Sequence, residues 1–200
     1  MPLPCIFGRP GNLHDLARSL FAGIADRLPG VETELIDISQ HRVEPCNGCA
    51  YECLLGAAPG QFCPQDDDLL ALWRTALSSD CLIYFLPTYG GLPPATWVAF
   101  QQRFHGLFRR PEAAPRPESM VAVLSLYDPM GVQNGDISQQ IILHRLAGGG
   151  RRLVHFEQLI AANYGLNGLR DRLVEHEGIR ARVGAMAERI AQELTARAGE

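Results

Sequence analysis

The chain has 200 residues, 46% of them hydrophobic and 20% charged, enough to enclose a full core within the usual size of one domain. A net charge of −4 and a pI near 5.9 leave no basic footprint, which argues against nucleic acid and anionic membrane as partners. No apolar run approaches the length of a membrane span, and the start MPLPCIFG has neither a basic region nor a cleavage site, so a cytoplasmic location is expected.

In chain order, Leu3 to Phe7 reads as a short apolar strand ending at the loop Gly8-Arg9-Pro10-Gly11-Asn12. A helix follows, with Leu16, Leu20, Phe21, Ile24 and Leu28 on one face and Asn12 or Asp15 as its cap, until Pro29-Gly30 ends it. Val31 to Ile38 alternates apolar and polar residues as a second strand does. From residue 44 to 66 the periodicity fails and four cysteines appear, Cys46, Cys49, Cys53 and Cys63. Asp66 to Leu77 restores a helix, with aspartates at its amino end where the dipole favours them.

Cys81 to Leu86 is an unbroken apolar run, as expected of a third strand buried on both faces. Pro87 is expected to stop it, and Gly90-Gly91 to let the following loop approach a ligand. The next helix runs from Pro94 to Phe108 with Trp97, Phe100, Phe104 and Phe108 as a wide stripe, a candidate contact between two copies of the chain. After the proline-rich connection from Arg109 to Glu118, a fourth strand spans Met120 to Leu126. A loop from Tyr127 to Asp136, a helix from Ile137 to Leu146 and a fifth strand from Arg152 to Ile160 come next. A long amphipathic helix, Gly178 to Ala198, closes the chain. Strands alternating with helices in this way predict one three-layer α/β domain over residues 1–200 with right-handed crossovers.

Two loops carry the candidate site. Gly8 to Asn12 joins a strand to a helix, where free backbone N–H groups and the helix dipole attract a phosphate. Pro87 to Pro94 follows the third strand, and a ligand at the carboxyl end of such a strand is the expectation for an open α/β sheet. The four cysteines leave three fates open: an iron–sulfur cluster, a zinc site, or free and redox-active thiols. Cys5 and Cys81, inside strands, read as buried apolar residues.

These residues resemble the NADPH-dependent FMN reductase family, flavodoxin-like flavoproteins, from the start of the chain to about residue 165. Gly8-Arg9-Pro10-Gly11-Asn12 is similar to that family's phosphate loop. Pro87-Thr88-Tyr89-Gly90-Gly91-Leu92-Pro93-Pro94 is similar to its flavin-ring loop, and Pro45-Cys46-Asn47-Gly48-Cys49 with Cys63 and Asp66-Asp67-Asp68 to a further segment of the same group. The resemblance implies a five-stranded parallel sheet in the order 2-1-3-4-5, bound FMN, NAD(P)H as co-substrate, a small-molecule acceptor and a homodimer.

The resemblance also implies which residues hold the cofactor. Gly8, Arg9, Pro10, Gly11, Asn12 and His14 would serve the phosphate, and Pro87, Thr88, Tyr89, Gly90, Gly91 and Tyr127 the ring and ribityl chain. The phosphate loop departs from the family in being short of hydroxyls, with Leu13 where the last one is expected. Cys46-x2-Cys49-x3-Cys53-x9-Cys63 resembles the compact motif of iron–sulfur flavoproteins with longer gaps. The expected activity is FMN-dependent NAD(P)H oxidoreduction, in which the protein positions rings and no catalytic acid or base is required. An iron–sulfur electron carrier and a flavodoxin-like module that has lost FMN are the alternatives.

Overall fold

A computed structural model describes residues 11–46, 63, 65–88, 91–103, 120–127, 135–147, 151–168 and 170–198. Within them lie helix α1 (Asn12–Arg27), helix α2 (Leu69–Ser78), strand β1 (Cys81–Thr88) and helix α3 (Ala95–Gln102). Strand β2 (Met120–Tyr127), helix α4 (Gly135–Ala147), strand β3 (Arg152–Ile160) and helix α5 (Glu177–Ala198) complete them. The strands form a parallel sheet in the order β1-β2-β3, which is the 3-4-5 portion of the predicted order. Cys81 pairs with Met120, and Thr88 with Tyr127, so β1 and β2 end level.

Period-two alternation divides the sheet's side chains between two helical layers. Leu82, Tyr84, Leu86, Val121 and Val123 face α2, α3 and α4, which contribute Leu69, Leu72, Trp73, Trp97, Phe100, Ile142 and Leu146. Ile83, Phe85, Ala122, Leu124, Leu126 and Leu159 face α1 and α5, which contribute Leu16, Leu20, Ile24, Ile179, Val183, Met186 and Ile190. Helices α1 and α5 cross closely, since a Cβ added at Gly23 would lie 3.0 Å from the Ala187 Cβ. Among the described residues no helix is long and apolar enough to cross a membrane.

Two expectations change. Strand β1 continues through Pro87 to Thr88 instead of stopping at Leu86, with Pro87 opposite Leu126 and Thr88 opposite Tyr127 in the ladder with β2. The stretch Val31 to Ile38 is not a strand of the described sheet: its residues run without regular structure into a 3-10 turn at Ile38–Gln40. The expected alternation survives, with Val31 and Leu35 packed toward the α1 and α5 layer and Ile36 and Ile38 toward the other. A cavity of about 400 Å³ is lined by Val31, Glu32, Thr33 and Glu34 of this stretch and by Cys81 and Ile83 of β1, and among the described residues no strand pairs with it. The predicted neighbour, Leu3 to Phe7, lies outside the described residues. The predicted helix from Pro94 to Phe108 is described only to Arg103, and its remainder lies outside the described residues.

Candidate functional site

The carboxyl ends of β1, β2 and β3 and the amino end of α1 share one edge of the sheet. The link is Asn12, whose Nδ2 donates to the carbonyls of Gly168 and Asp171, each at 2.9 Å, and whose Oδ1 accepts from Leu173 N at 3.1 Å. Those partners belong to the segment that follows β3. The Asn12 side chain is therefore spent on holding the edge together, and only its backbone N–H is left for a ligand.

Gly11 has φ 101°, and a Cβ built on it would meet nothing within 4 Å. Among the described residues nothing crowds the backbone at this turn, and its conformation favours glycine. Gly11, not Asn12 or Asp15, stands at the N-cap of α1 and makes no side-chain cap bond, so among the described residues no cap claims the N–H groups of the first turn. His14 lies beside them with Nε2 3.7 Å from Asp37 Oδ2. Leu13, where the family carries a hydroxyl, is buried in the core. A phosphate at this turn would receive no hydroxyl from position 13.

On the opposite side of the edge, Pro87 is paired in β1 and Thr88 is buried, its hydroxyl donating to Leu126 O at 3.2 Å. Gly91 has the positive φ, 81°, that the loop was expected to need. Tyr127, expected to open the loop after a strand ending at Leu126, is instead the last residue of β2, paired with Thr88 and Ile160. Gly8, Arg9, Pro10, Tyr89 and Gly90 lie outside the described residues. Trp97 and Phe100, expected in a contact between two copies, are buried against the sheet, with Phe100 stacked on Trp73 at 4.2 Å. Phe104 and Phe108 lie outside the described residues.

Of the four cysteines, Cys46 is exposed and Cys63 half-buried, while Cys49 and Cys53 lie outside the described residues. The chain entering and the chain leaving this segment are tied side by side. Arg42 N donates to Asp68 Oδ2 at 2.8 Å, Asp68 N to Arg42 O at 3.0 Å, and Glu44 N to Asp67 Oδ2 at 2.9 Å. Arg103 closes the arrangement with an ion pair to Asp67, a bond to Glu44 O at 3.2 Å and a bond to Cys63 Sγ at 3.3 Å. Burial works against both charges, but the pair outweighs it: Asp67 is held below the ordinary carboxylate range and Arg103 above its own. Among the described residues no group of three or more His, Cys, Asp and Glu side chains is placed to hold a metal ion. Cys81, expected to be a buried apolar residue, is half-buried at the start of β1, where desolvation pushes its thiol up to about 11.

The role of Arg103 escaped the sequence reading. The one available signal was an arginine directly after an apolar helix, together with three consecutive aspartates that one helix start cannot all employ.

No family model matches the chain, and no curated protein matches it. Solved structures do. RosB with bound 8-demethyl-8-formylriboflavin-5'-phosphate is 12% identical at a TM-score of 0.69, over 96% of this chain and 76% of that one. An azoreductase from Bacillus anthracis str. Sterne is 12% identical at a TM-score of 0.63, over 95% and 96% of the two chains. Oxidised flavodoxin 1 from Bacillus cereus is 12% identical at a TM-score of 0.58, over 96% and 94%. At this identity the likeness carries the fold, which is flavodoxin-like α/β with a parallel sheet.

Proposed function

We propose that this protein is a flavin-dependent oxidoreductase that holds FMN along the carboxyl edge of its sheet. In this reading NAD(P)H supplies the hydride, and a small molecule accepts the electrons. The observation that carries it is the pairing of two features on one edge: the uncapped amino end of α1 behind the positive-φ Gly11, and the β1 exit with its positive-φ Gly91. The first suits a phosphate and the second a planar ring. The solved structures of similar fold include proteins titled flavone reductase and azoreductase, which supports the choice of reaction class.

Each part of the chain then has a definite task. The N–H groups at Gly11 and in the first turn of α1 hold the phosphate, helped by the dipole. Asn12 fixes that turn against the segment after β3. Backbone N–H groups between Thr88 and Gly91 would serve the ring's acceptor atoms, with Tyr127, the last residue of β2, as a further residue of the ring end. When bound, FMN supplies the hydride-accepting chemistry, and the protein supplies orientation and electrostatics.

Gly11→Val tests the phosphate end. A branched residue at φ 101° is strained although space is free around it, at a cost of about 1–3 kcal/mol. FMN affinity, followed by quenching of flavin fluorescence, should fall roughly tenfold or more. Equal affinity in variant and parent would remove FMN phosphate from this turn. Failure of both to bind at millimolar FMN would leave the flavin-free module as the surviving reading.

A further inference from the structure

The two arms that lead into and out of the cysteine segment are pinned to the end of α3 by one side chain. The side chains of Arg103 and Asp67 are each 1% exposed. Arg103 Nη1 serves Asp67 and Glu44 O, while Nη2 donates to Cys63 Sγ at 3.3 Å. A guanidinium presents its Nε–H and Nη2–H side by side as a fork suited to two adjacent acceptors. Here the fork is half filled. Nη2 is spent on the sulfur, whereas Nε, equally buried, has no hydrogen-bond partner. A buried donor left unpaired is a standing cost, and an oxygen carried by the Cys63 sulfur would be an acceptor of the kind the fork lacks.

We infer that Cys63 is a site of oxidation by hydroperoxides and that Arg103 retains the resulting sulfenic acid through both limbs of its fork. The Cys63 sulfur attacks one oxygen of hydrogen peroxide, so an S–O bond forms as the O–O bond breaks. The other oxygen leaves as hydroxide and takes the thiol proton to become water. Sulfur loses two electrons and the peroxide gains them, which leaves Cys–SOH and water. Cys63 is half-buried, so it is open to an oxidant as small as peroxide while the product's oxygen lies against Arg103. Arg103 acts here as a positioning residue. Because it closes the helix that begins directly after Pro94, the oxidation changes an anchor of the element behind the Thr88 to Gly91 loop. The chemistry requires no flavin and stands apart from the proposed activity.

The test uses the intact chain, purified under reducing conditions, analysed for metal, desalted and treated with one equivalent of hydrogen peroxide. Dimedone trapping followed by peptide mass spectrometry should place the adduct on Cys63 in higher yield than on Cys46, although Cys46 is the more exposed thiol. Delayed addition of dimedone gives the lifetime of the sulfenic acid. Arg103→Lys keeps the positive charge but not the fork, and should shorten that lifetime roughly tenfold. Three results would each overturn the inference: adducts on other cysteines but not on Cys63, an unchanged lifetime in Arg103→Lys, or iron or zinc bound through Cys63 in the purified protein. Should Arg103→Lys fail to fold, the comparison of Cys63 with Cys46 in the parent decides alone.

Discussion

Asp67 shows how one residue ties local chemistry to stability. Its carboxylate takes the Arg103 guanidinium, Glu44 N at 2.9 Å and Leu69 N at 3.3 Å. Asp67→Asn leaves Arg103 buried without its counter-charge, an error that costs about 3–5 kcal/mol. The folded pKa of Asp67 lies below its unfolded value of about 3.9. Its stabilisation is therefore fully present above that value and is lost as pH falls through the folded pKa. Urea melts between pH 7 and pH 2 should show the parent losing its advantage over Asp67→Asn on the acid side; a constant difference across that range would refute the assignment. At this scale the sequence was least transparent. Asn12 was legible as a cap or phosphate residue from its place before a helix, yet its bonds reach Gly168, Asp171 and Leu173, which no local spacing could reveal. Asp67 was read as a helix-dipole residue for the same reason, its partner standing thirty-six positions later.

At the scale of elements, sequence periodicity located α1, α2, α4, α5 and the three described strands to within a few residues, because each buries one face or both. What it missed are the contacts between elements. Arg151 precedes β3 and donates to Ala76 O, to Ser79 O at 3.4 Å and to Met120 O at 3.0 Å, so one side chain closes the carboxyl end of α2 against β2. Along β3 a residue is inserted at Val154, since Val121 pairs with Leu153 while Ala122 pairs with His155. Glu157 then turns a buried carboxylate toward Arg182 of α5 at 2.6 Å. On the other side of α5, Gly23 sets how near α1 can come. Gly23→Val would drive a branched side chain into Ala187, 3.0 Å from the first added carbon, at about 1–3 kcal/mol. The paired variant Gly23→Val with Ala187→Gly should recover part of that loss in chemical denaturation. Two additive effects would show that the crossing is not the cause.

Across the whole molecule the fold was legible and the site only in part, for one physical reason: a core repeats its pattern over many residues, whereas a site is a single meeting of distant ones. The apolar and polar alternation from Val31 to Ile38 predicts a strand, yet its apolar residues pack toward both layers and no described strand pairs with it; pairing depends on a neighbour and is not a property of the stretch itself. Leu13 joins the two levels. The resembled family would place a hydroxyl there, and this chain places a core residue, 4% exposed and packed with the α1 and α5 layer. If backbone N–H groups alone hold the phosphate, the core at Leu13 and the cofactor site are separable. Leu13→Ser should then lower stability by about 2–4 kcal/mol in the absence of flavin. FMN at one hundred times the parent's dissociation constant, added at that same concentration to both proteins, stabilises the parent by about 2.7 kcal/mol, a rise of about 5–10 °C for a chain of this size. Thermal melts should show that same rise in parent and Leu13→Ser, the variant starting from a lower midpoint. A larger rise in the variant would mean that a hydroxyl at position 13 was the missing ligand, and that this chain's core has displaced part of its cofactor site.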